Sequence, residues 1–399
     1  MGEINFMKTK ITPEELLPLI GMSVCAFIFN TSEFMPMGLL TSISETFSTT
    51  EAQTGQLISV YAWFVMIMSM PFMVFGTRFN FRKLVLGIIT IFIAGQFLSA
   101  IAPNFILLCL ARLVVATSHC IFWAILVPLS VRLVRPELAA FAVSVAEAGA
   151  ALATVLGLPI GRTIGLVMSW RASFILVGFV MLALLVYMLF VMPRVPNEEK
   201  FTFKDLPTLL KNKALLGIFA ITICYSLGFY VTNSYIEPFL LQVGQLPANE
   251  VTIFLSLFGL AGLISSVFFT KKYSCLRFKI FIGSLFGVCV CLIVLLLTVK
   301  ILPALVITFL IWGFCGTLFA MASQTEIVNV CKSEDQTVAM AIFSGLFNFG
   351  IGTGAFVGGI VIDNLSINYI GVFGGAIVLA GAVLSVTKIV PKLRKYKSL

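Results

Sequence analysis

The sequence predicts an all-α membrane protein in which twelve transmembrane helices form two pseudo-symmetric six-helix bundles. Three observations support this fold class. Of the 399 residues, 60% are hydrophobic and 11% are charged, whereas soluble domains carry about 25% charged residues. Apolar runs of roughly 20 residues, the length that crosses a bilayer as a helix, follow one another along the chain. One long polar stretch divides these runs into two sets of six.

The breaks between the spans fall at polar residues or at Pro and Gly. The first run is too long for the apolar segment of a cleavable signal peptide and lacks a small-residue cleavage site, so we expect it to be the first span. The twelve predicted spans are Leu17–Leu40, Gln53–Phe75, Leu84–Ile101, Phe105–Val131, Ala139–Gly161, Phe174–Val191, Leu215–Leu241, Val251–Phe269, Phe281–Val299, Pro303–Ala322, Val338–Ile362 and Tyr369–Val390.

The longest polar interruption, Pro193–Lys213, includes a short amphipathic-looking segment, Leu206–Leu210. Two bundles joined by such a linker are typical of transporters built from structural repeats. We therefore predict a cytoplasmic N-terminal segment (1–16), an N-terminal six-helix bundle (17–192), a cytoplasmic linker (193–214), a C-terminal six-helix bundle (215–391) and a basic cytoplasmic tail (392–399).

The net charge of +9 indicates topology rather than nucleic-acid binding. Lys and Arg residues concentrate at both termini, in the linker and in alternate loops. Arg162, Arg171 and Lys300 lie at the opposite ends of spans, and Arg112 lies within one. By the positive-inside rule, both termini face the cytoplasm, and we expect a multi-pass protein of the cell inner membrane. The nine Cys residues lie in apolar runs or in short loops predicted to be cytoplasmic, so we expect free thiols.

Other functional classes lack their sequence signatures. A primary pump needs a phosphate-binding Gly-x-x-x-x-Gly-Lys-Ser/Thr loop, which the sequence does not contain. An enzyme needs clustered nucleophiles, acids and bases or metal ligands. The chain has one His and scattered acidic residues, so we predict neither an enzyme nor a metal or cofactor site. A channel or sensor without coupling is the alternative to a transporter.

Several segments carry a family signature. Residues 26–40 read AFIFNTSEFMPMGLL, residues 61–63 read YAW, and residues 157–162 read GLPIGR, with Trp170 and Arg171 following. Together they resemble the drug:proton antiporter group of the major facilitator superfamily. Residues 233–239, NSYIEPF, and 341–354, AIFSGLFNFGIGTG, resemble its SotB-type sugar efflux transporters.

This resemblance implies the major facilitator fold and proton-coupled efflux of sugars or related small solutes by alternating access. Proton-coupled multidrug efflux is the alternative. The implied partners are protons, a small sugar or drug-like solute and membrane lipid, and the expected state is a monomer. The loop Gly76–Lys83 departs from the family pattern because it contains no acidic residue. A charge relay that holds the cytoplasmic gate of relatives is therefore not expected in this loop.

Ionisable side chains within spans are costly in hydrocarbon and tend to face a cavity or a partner. Glu33 in span 1 and Arg112 in span 4 have similar estimated depths, so we predict that they couple transport to protons. A buried pair that only joins two helices is the alternative. His119 follows Arg112 on the same helical face and is either a proton relay or a neutral hydrogen-bonded imidazole. We expect Glu147 in span 5 to be a partner of His119 or a second carboxyl site.

Polar hydrogen-bonding groups beside aromatic rings suit the hydroxyls and faces of sugars. The predicted solute-binding residues are Asn30, Trp63, Trp123, Asn233, Tyr235, Glu237 and Asn348. Small residues allow close helix contacts in membranes. We expect six of them to provide smooth surfaces at the interface between the bundles, where they permit rocking: Gly157, Pro159, Gly161, Gly350, Gly354 and Gly358.

Overall fold

The computed structural model describes residues 11–76, 78–196, 211–332 and 336–394, and these residues are predominantly helical. They contain 11 helices long and apolar enough to cross a membrane. One of them, Ala248–Thr298, has 51 residues and a non-helical backbone at Leu276, so it supplies two spans. The spanning helices, numbered in chain order, are α1 Pro13–Gly38, α2 Glu51–Gly76, α3 Phe81–Ile101, α4 Phe105–Arg132, α5 Pro136–Val167, α6 Trp170–Val191, α7 Lys213–Gln242, α8 248–275, α9 277–298, α10 Leu302–Val330, α11 Gln336–Asn364 and α12 Ile367–Leu393.

Several helices begin at polar residues that cap their free backbone N–H groups. Asn80, Asn104 and Ser169 each accept a hydrogen bond from the backbone N–H of the third residue that follows. Thr12 and Glu15 form a reciprocal capping box at the start of α1. These caps satisfy donors that have no partner within the helix and thereby set where each span begins.

Helices α1–α6 form the first bundle and α7–α12 the second. In the first bundle, Phe29 of α1 stacks on Phe122 of α4 at 4.5 Å and contacts Phe92 of α3 at 4.4 Å between ring centroids. In the second bundle, Tyr225 of α7 lies 4.1 Å from Phe319 of α10. Helix α1 packs on α5 in the first bundle as α7 packs on α11 in the second. This correspondence is the pseudo-symmetry that the two sets of six spans predict.

The glycines of α5 do not provide the predicted surface between the bundles. Gly157 and Gly161 lie against Thr31 and Met35 of α1, within the first bundle. A Cβ added at Gly161 would lie 2.8 Å from Met35 Cγ. Pro159 is buried in the same segment. These glycines therefore allow α5 to approach α1 closely.

The glycines of α11 behave in the same way in the second bundle. Gly350, Gly354 and Gly358 face α7, and a Cβ at Gly354 would lie 2.5 Å from the carbonyl oxygen of Leu227. The surface of α11 that meets the first bundle carries other glycines instead. Gly352 faces Trp63 of α2.

Both described termini lie at one end of the helices, together with the end of α6 and the beginning of α7. This end is here called the termini end, and the opposite end is called the distal end. Helices α2 and α5 of the first bundle contact α11 and α8 of the second. At the distal end, Gln242 donates a 2.7 Å hydrogen bond to Glu51 across the two bundles. The predicted amphipathic segment Leu206–Leu210, most of the predicted N-terminal segment and linker, and the last five residues of the tail lie outside the described residues.

Candidate solute and proton site

Arg112 is buried in the first bundle and is held by the distal part of α1. Its guanidinium donates to the Ser32 hydroxyl at 3.1 Å and to the Ser32 carbonyl at 2.8 Å. That carbonyl is available because Pro36, four residues later, has no N–H to donate to it. The guanidinium also lies over the ring of Tyr61, 4.9 Å from its centroid. Directed hydrogen bonds and a π face thus offset the cost of placing this charge within a span.

The side chain of Glu33 faces the imidazole of His119. The distance between Glu33 Oε2 and His119 Nε2 is 3.6 Å, and the side chain of Glu33 is 11% exposed while that of His119 is 4% exposed. No ion pair joins Glu33 to Arg112 in the part of the chain that the structure describes. The predicted direct pairing is therefore replaced by a three-residue arrangement in which Arg112 binds Ser32, the residue beside Glu33.

A small cavity lies beside Glu33 and Arg112. Glu33, Arg112 and Tyr61 line it together with residues of α1, α2 and α11. Among the described residues, Arg112 Nε, His119 Nδ1 and Tyr61 Oη are buried without a hydrogen-bond partner. Polar atoms in this state can accept or donate further hydrogen bonds, so the group is chemically suited to water or proton exchange.

Glu147 is not part of this group. It lies on α5 and is exposed, and no described ion pair connects it to His119, whose acidic partner is Glu33. Glu147 precedes the π-helical segment Ala153–Gly157 and lies nearer the termini end of α5.

A cavity of about 440 Å³ lies between the bundles in the half of the spans nearer the termini end. Helices α2, α4, α10 and α11 line it, and exposed Val127 and Ser344 mark its opening. Most lining side chains are apolar, among them Met70, Val127 and Met340. Trp123 also lines the cavity, and its ring lies 5.9 Å from that of His119. A solute in this cavity would therefore be one side chain away from the Glu33–His119 pair.

Most of the other predicted solute-binding residues form contacts between helices. Asn30 donates to the Ala150 carbonyl at 3.1 Å, Trp63 to Thr353 at 3.2 Å, and Tyr235 to the Ala355 carbonyl at 2.8 Å. Asn233 Nδ2 lies 3.9 Å from Met37 Sδ, and Asn348 donates to the Ser344 carbonyl at 3.0 Å. Asn348 is one turn from Ser344 of the cavity wall, and its Oδ1 has no partner among the described residues. Trp123 and the neighbourhood of Asn348 thus lie at the cavity, whereas the remaining candidates join helices.

Glu237, also predicted to bind solute, forms an ion pair with Arg162 at 2.6 Å. The two side chains are 2% and 1% exposed. Arg162 also donates to the Gly38 carbonyl, and the Thr41 hydroxyl donates to Glu237 at 2.8 Å. The sequence placed Arg162 at the end of span 5 and in the GLPIGR segment but predicted no partner for it. Its position next to the GLPIG segment of α5 was the signal for a buried charge.

A second buried ion pair was also missed. Arg277 Nε of α9 lies 2.5 Å from Glu326 Oε1 of α10, and Tyr273 donates to the same oxygen. The pair lies near the termini end, within the second bundle. In the first bundle, the corresponding loop after α2 contains no acid, and Arg82 donates instead to the Leu189 carbonyl at 2.7 Å. The two halves therefore stabilise this end by different chemistry.

Comparison with known proteins gives the family. The family model described as Major Facilitator Superfamily matches residues 22–324 and 273–398. The chain belongs to the Major Facilitator Superfamily. Its fold class is confirmed, and as a member of this superfamily the chain is a multi-pass membrane protein and a secondary transporter that works by alternating access.

Solved structures of another superfamily member share the fold. A bacterial homolog of the human lysosomal transporter Spinster, in an inward-facing and occupied conformation, has a TM-score of 0.72 and 16% identity, covering 96% of this chain and 95% of that one. A structure of a bacterial Spinster homolog in an inward-facing and unoccupied conformation has a TM-score of 0.68 and 15% identity, with the same coverage of both chains.

Proposed function

We propose that this superfamily member exports a small solute across the cell inner membrane in exchange for protons. The observation that carries the proposal is the Glu33–His119 pair, 3.6 Å apart, beside the buried Arg112. Superfamily membership supplies alternating access, and the pair supplies a carboxyl whose charge can differ between the two states. Buried titratable groups near a solute cavity are frequent carriers of coupling in transporters.

Glu33 is the proposed proton carrier. Protonation of a carboxyl depends on its burial and on nearby charges, and both change when bundles rock and water enters from one side. A bound proton neutralises Glu33 and removes its attraction to Arg112. Solute binding next to Trp123 then acts on the same group through the adjoining rings of Trp123 and His119. Coupling follows because each ligand favours a different arrangement of one cluster.

The solute is proposed to bind in the cavity of about 440 Å³ between the bundles. Sugars are the class that the family resemblance implies, and Trp123 offers a ring face for one. The lining also favours the second candidate, an amphipathic aromatic or drug-like compound, because Met70, Val127 and Met340 provide apolar surface and few polar groups. Large, mostly apolar pockets with a small number of polar groups are typical sites for such compounds.

Orientation is part of the proposal. The basic residues near the termini end support a cytoplasmic location for that end, so the cavity would open to the cytoplasm and accept solute for export. We propose a monomer as the working unit.

Proton release from purified protein in detergent tests this function. Adding a transported solute to unbuffered protein should release protons, and a panel of pentoses, thiogalactosides and amphipathic aromatic compounds would identify the class. The Glu33→Gln variant is the control and should release none. Solute binding without any change in proton uptake or release by the native protein would contradict proton coupling.

A further inference from the structure

The ion pair between Arg162 and Glu237 joins the two bundles at the distal end. Arg162 belongs to α5 of the first bundle, and Glu237 belongs to the last two turns of α7 in the second. Two further groups of the first bundle hold the pair: the Gly38 carbonyl accepts from Arg162, and Thr41 donates to Glu237 through its hydroxyl at 2.8 Å and its backbone N–H at 3.2 Å. The carboxylate of one bundle is thus enclosed by donors of the other.

The pair is buried at a substantial energetic cost. Removing two charges from water is unfavourable, and the attraction between them compensates well only when the remaining donors and acceptors are also satisfied. Arg162 leaves Nε and Nη2 without a hydrogen-bond partner among the described residues. Water would satisfy these nitrogens if the bundles separated here. A pair with these properties is suited to form and break repeatedly, in contrast to an apolar contact that would gain nothing from hydration.

The pair lies at the distal end, which is the closed end of the molecule. Gln242 and Glu51 add a second polar contact between the bundles at the same end. At the termini end, the bundles enclose the cavity that opens beside Val127 and Ser344. The only other buried Arg–Glu pair in the described residues, Arg277 with Glu326, lies within the second bundle and joins nothing across this boundary.

We propose that Arg162 and Glu237 form a distal latch, which holds the distal end closed while the cavity is open and separates each time the transporter opens to the other side. The latch would set the balance between the two states. This inference requires alternating access only. It is independent of proton coupling and of the identity of the solute, so the two proposals can fail separately.

The test measures opening directly with a cysteine reporter at Ile58, which is 6% exposed on α2 and packs with the core of the second bundle. The rate of maleimide modification of Ile58→Cys is measured in detergent by site-resolved mass spectrometry, which separates it from the nine native Cys residues. When Glu237→Gln is combined with Ile58→Cys, the rate of maleimide modification should rise by about tenfold or more. The reason is that Glu237→Gln leaves Arg162 buried without a countercharge. The milder Thr41→Val should raise it by a smaller factor and tests the same latch if Glu237→Gln folds poorly.

Two controls separate a latch from general loosening. Glu326→Gln breaks a buried Arg–Glu ion pair inside one bundle and should leave the rate at Ile58→Cys within about twofold of the parent. A second reporter in the cavity wall, Ala124→Cys, should react more slowly in the Glu237→Gln background, because distal opening closes the cavity.

The latch is rejected if Glu237→Gln and Thr41→Val both leave the Ile58→Cys rate unchanged. It is also rejected if Glu326→Gln raises this rate equally.

Discussion

Glu33 of α1 and His119 of α4 face each other with 3.6 Å between Oε2 and Nε2, while Arg112, two turns from His119, is bound to Ser32. The guanidinium is therefore anchored to backbone and hydroxyl rather than to the carboxylate. This arrangement leaves Glu33 free to change protonation without releasing Arg112 from α1. A fixed cation beside a titratable carboxyl and an imidazole is the basis of the proposed coupling.

Replacing Glu33 with Gln should separate transport from its driving force. The amide resembles the protonated carboxyl, so the variant should bind solute and exchange it across proteoliposomes while losing uphill export driven by a pH gradient. Counterflow and gradient-driven transport of the same preparation measure the two activities. The matched control is Glu45→Gln, an exposed carboxyl on the short helix Leu40–Phe47, which should retain both. Uphill export by Glu33→Gln would show that this carboxyl is structural.

Trp123 and Tyr235 should respond differently to substitution although both were predicted to bind solute. Trp123 lines the cavity, so Trp123→Ala should raise KM by about tenfold, the loss expected for a buried aromatic contact of 1–2 kcal/mol. Tyr235 is buried and bonds the Ala355 carbonyl, so Tyr235→Phe should leave KM unchanged and lower stability by about 1 kcal/mol. Initial rates and thermal denaturation in detergent measure both effects. A larger KM change for Tyr235→Phe would mean that solute binds deeper than the cavity.

Two glycines of α11 offer a matched test of helix packing. A Cβ at Gly354 would lie 2.5 Å from the Leu227 carbonyl oxygen, whereas nothing lies within 4 Å of a Cβ at Gly345. Gly354→Ala should therefore push α11 from α7 and destabilise the protein by about 1–3 kcal/mol. Gly345→Ala should be neutral or slightly stabilising because Ala favours helix over Gly. Thermal denaturation decides the outcome, and equal melting temperatures would contradict the close α7–α11 contact.

Cysteine labelling of intact cells tests the orientation. Asn249→Cys, exposed in the first turn of α8 at the distal end, should react with a membrane-impermeant maleimide added outside, and Arg394→Cys, exposed at the termini end, should not. The parent protein measures the background from native thiols such as exposed Cys275. The reverse pattern would place the termini outside and turn the proposed export into import.

Hydropathy and charge determined the number of spans, the division into two bundles and the all-α class. Bilayer thickness requires about 20 apolar residues for each helix, so each span can be recognised from its own stretch of sequence. The seven-residue spacing of Arg112 and His119 also predicted a shared helical face. Glu33 was predicted to belong with Arg112 and His119 because an acid within an apolar span needs a partner or water.

Only the tertiary structure decided which side chains meet. Lipid is as apolar as the interior of a bundle, so sequence carries little contrast between helix faces that contact lipid and faces that contact protein. For this reason Tyr235 and Glu237, predicted to bind solute, instead join helices. The glycines predicted to lie between the bundles, Gly157, Gly161, Gly350, Gly354 and Gly358, pack within them. The partnership of Arg162 with Glu237 depends on the relative placement of α5 and α7, which long-range packing sets and local sequence does not encode.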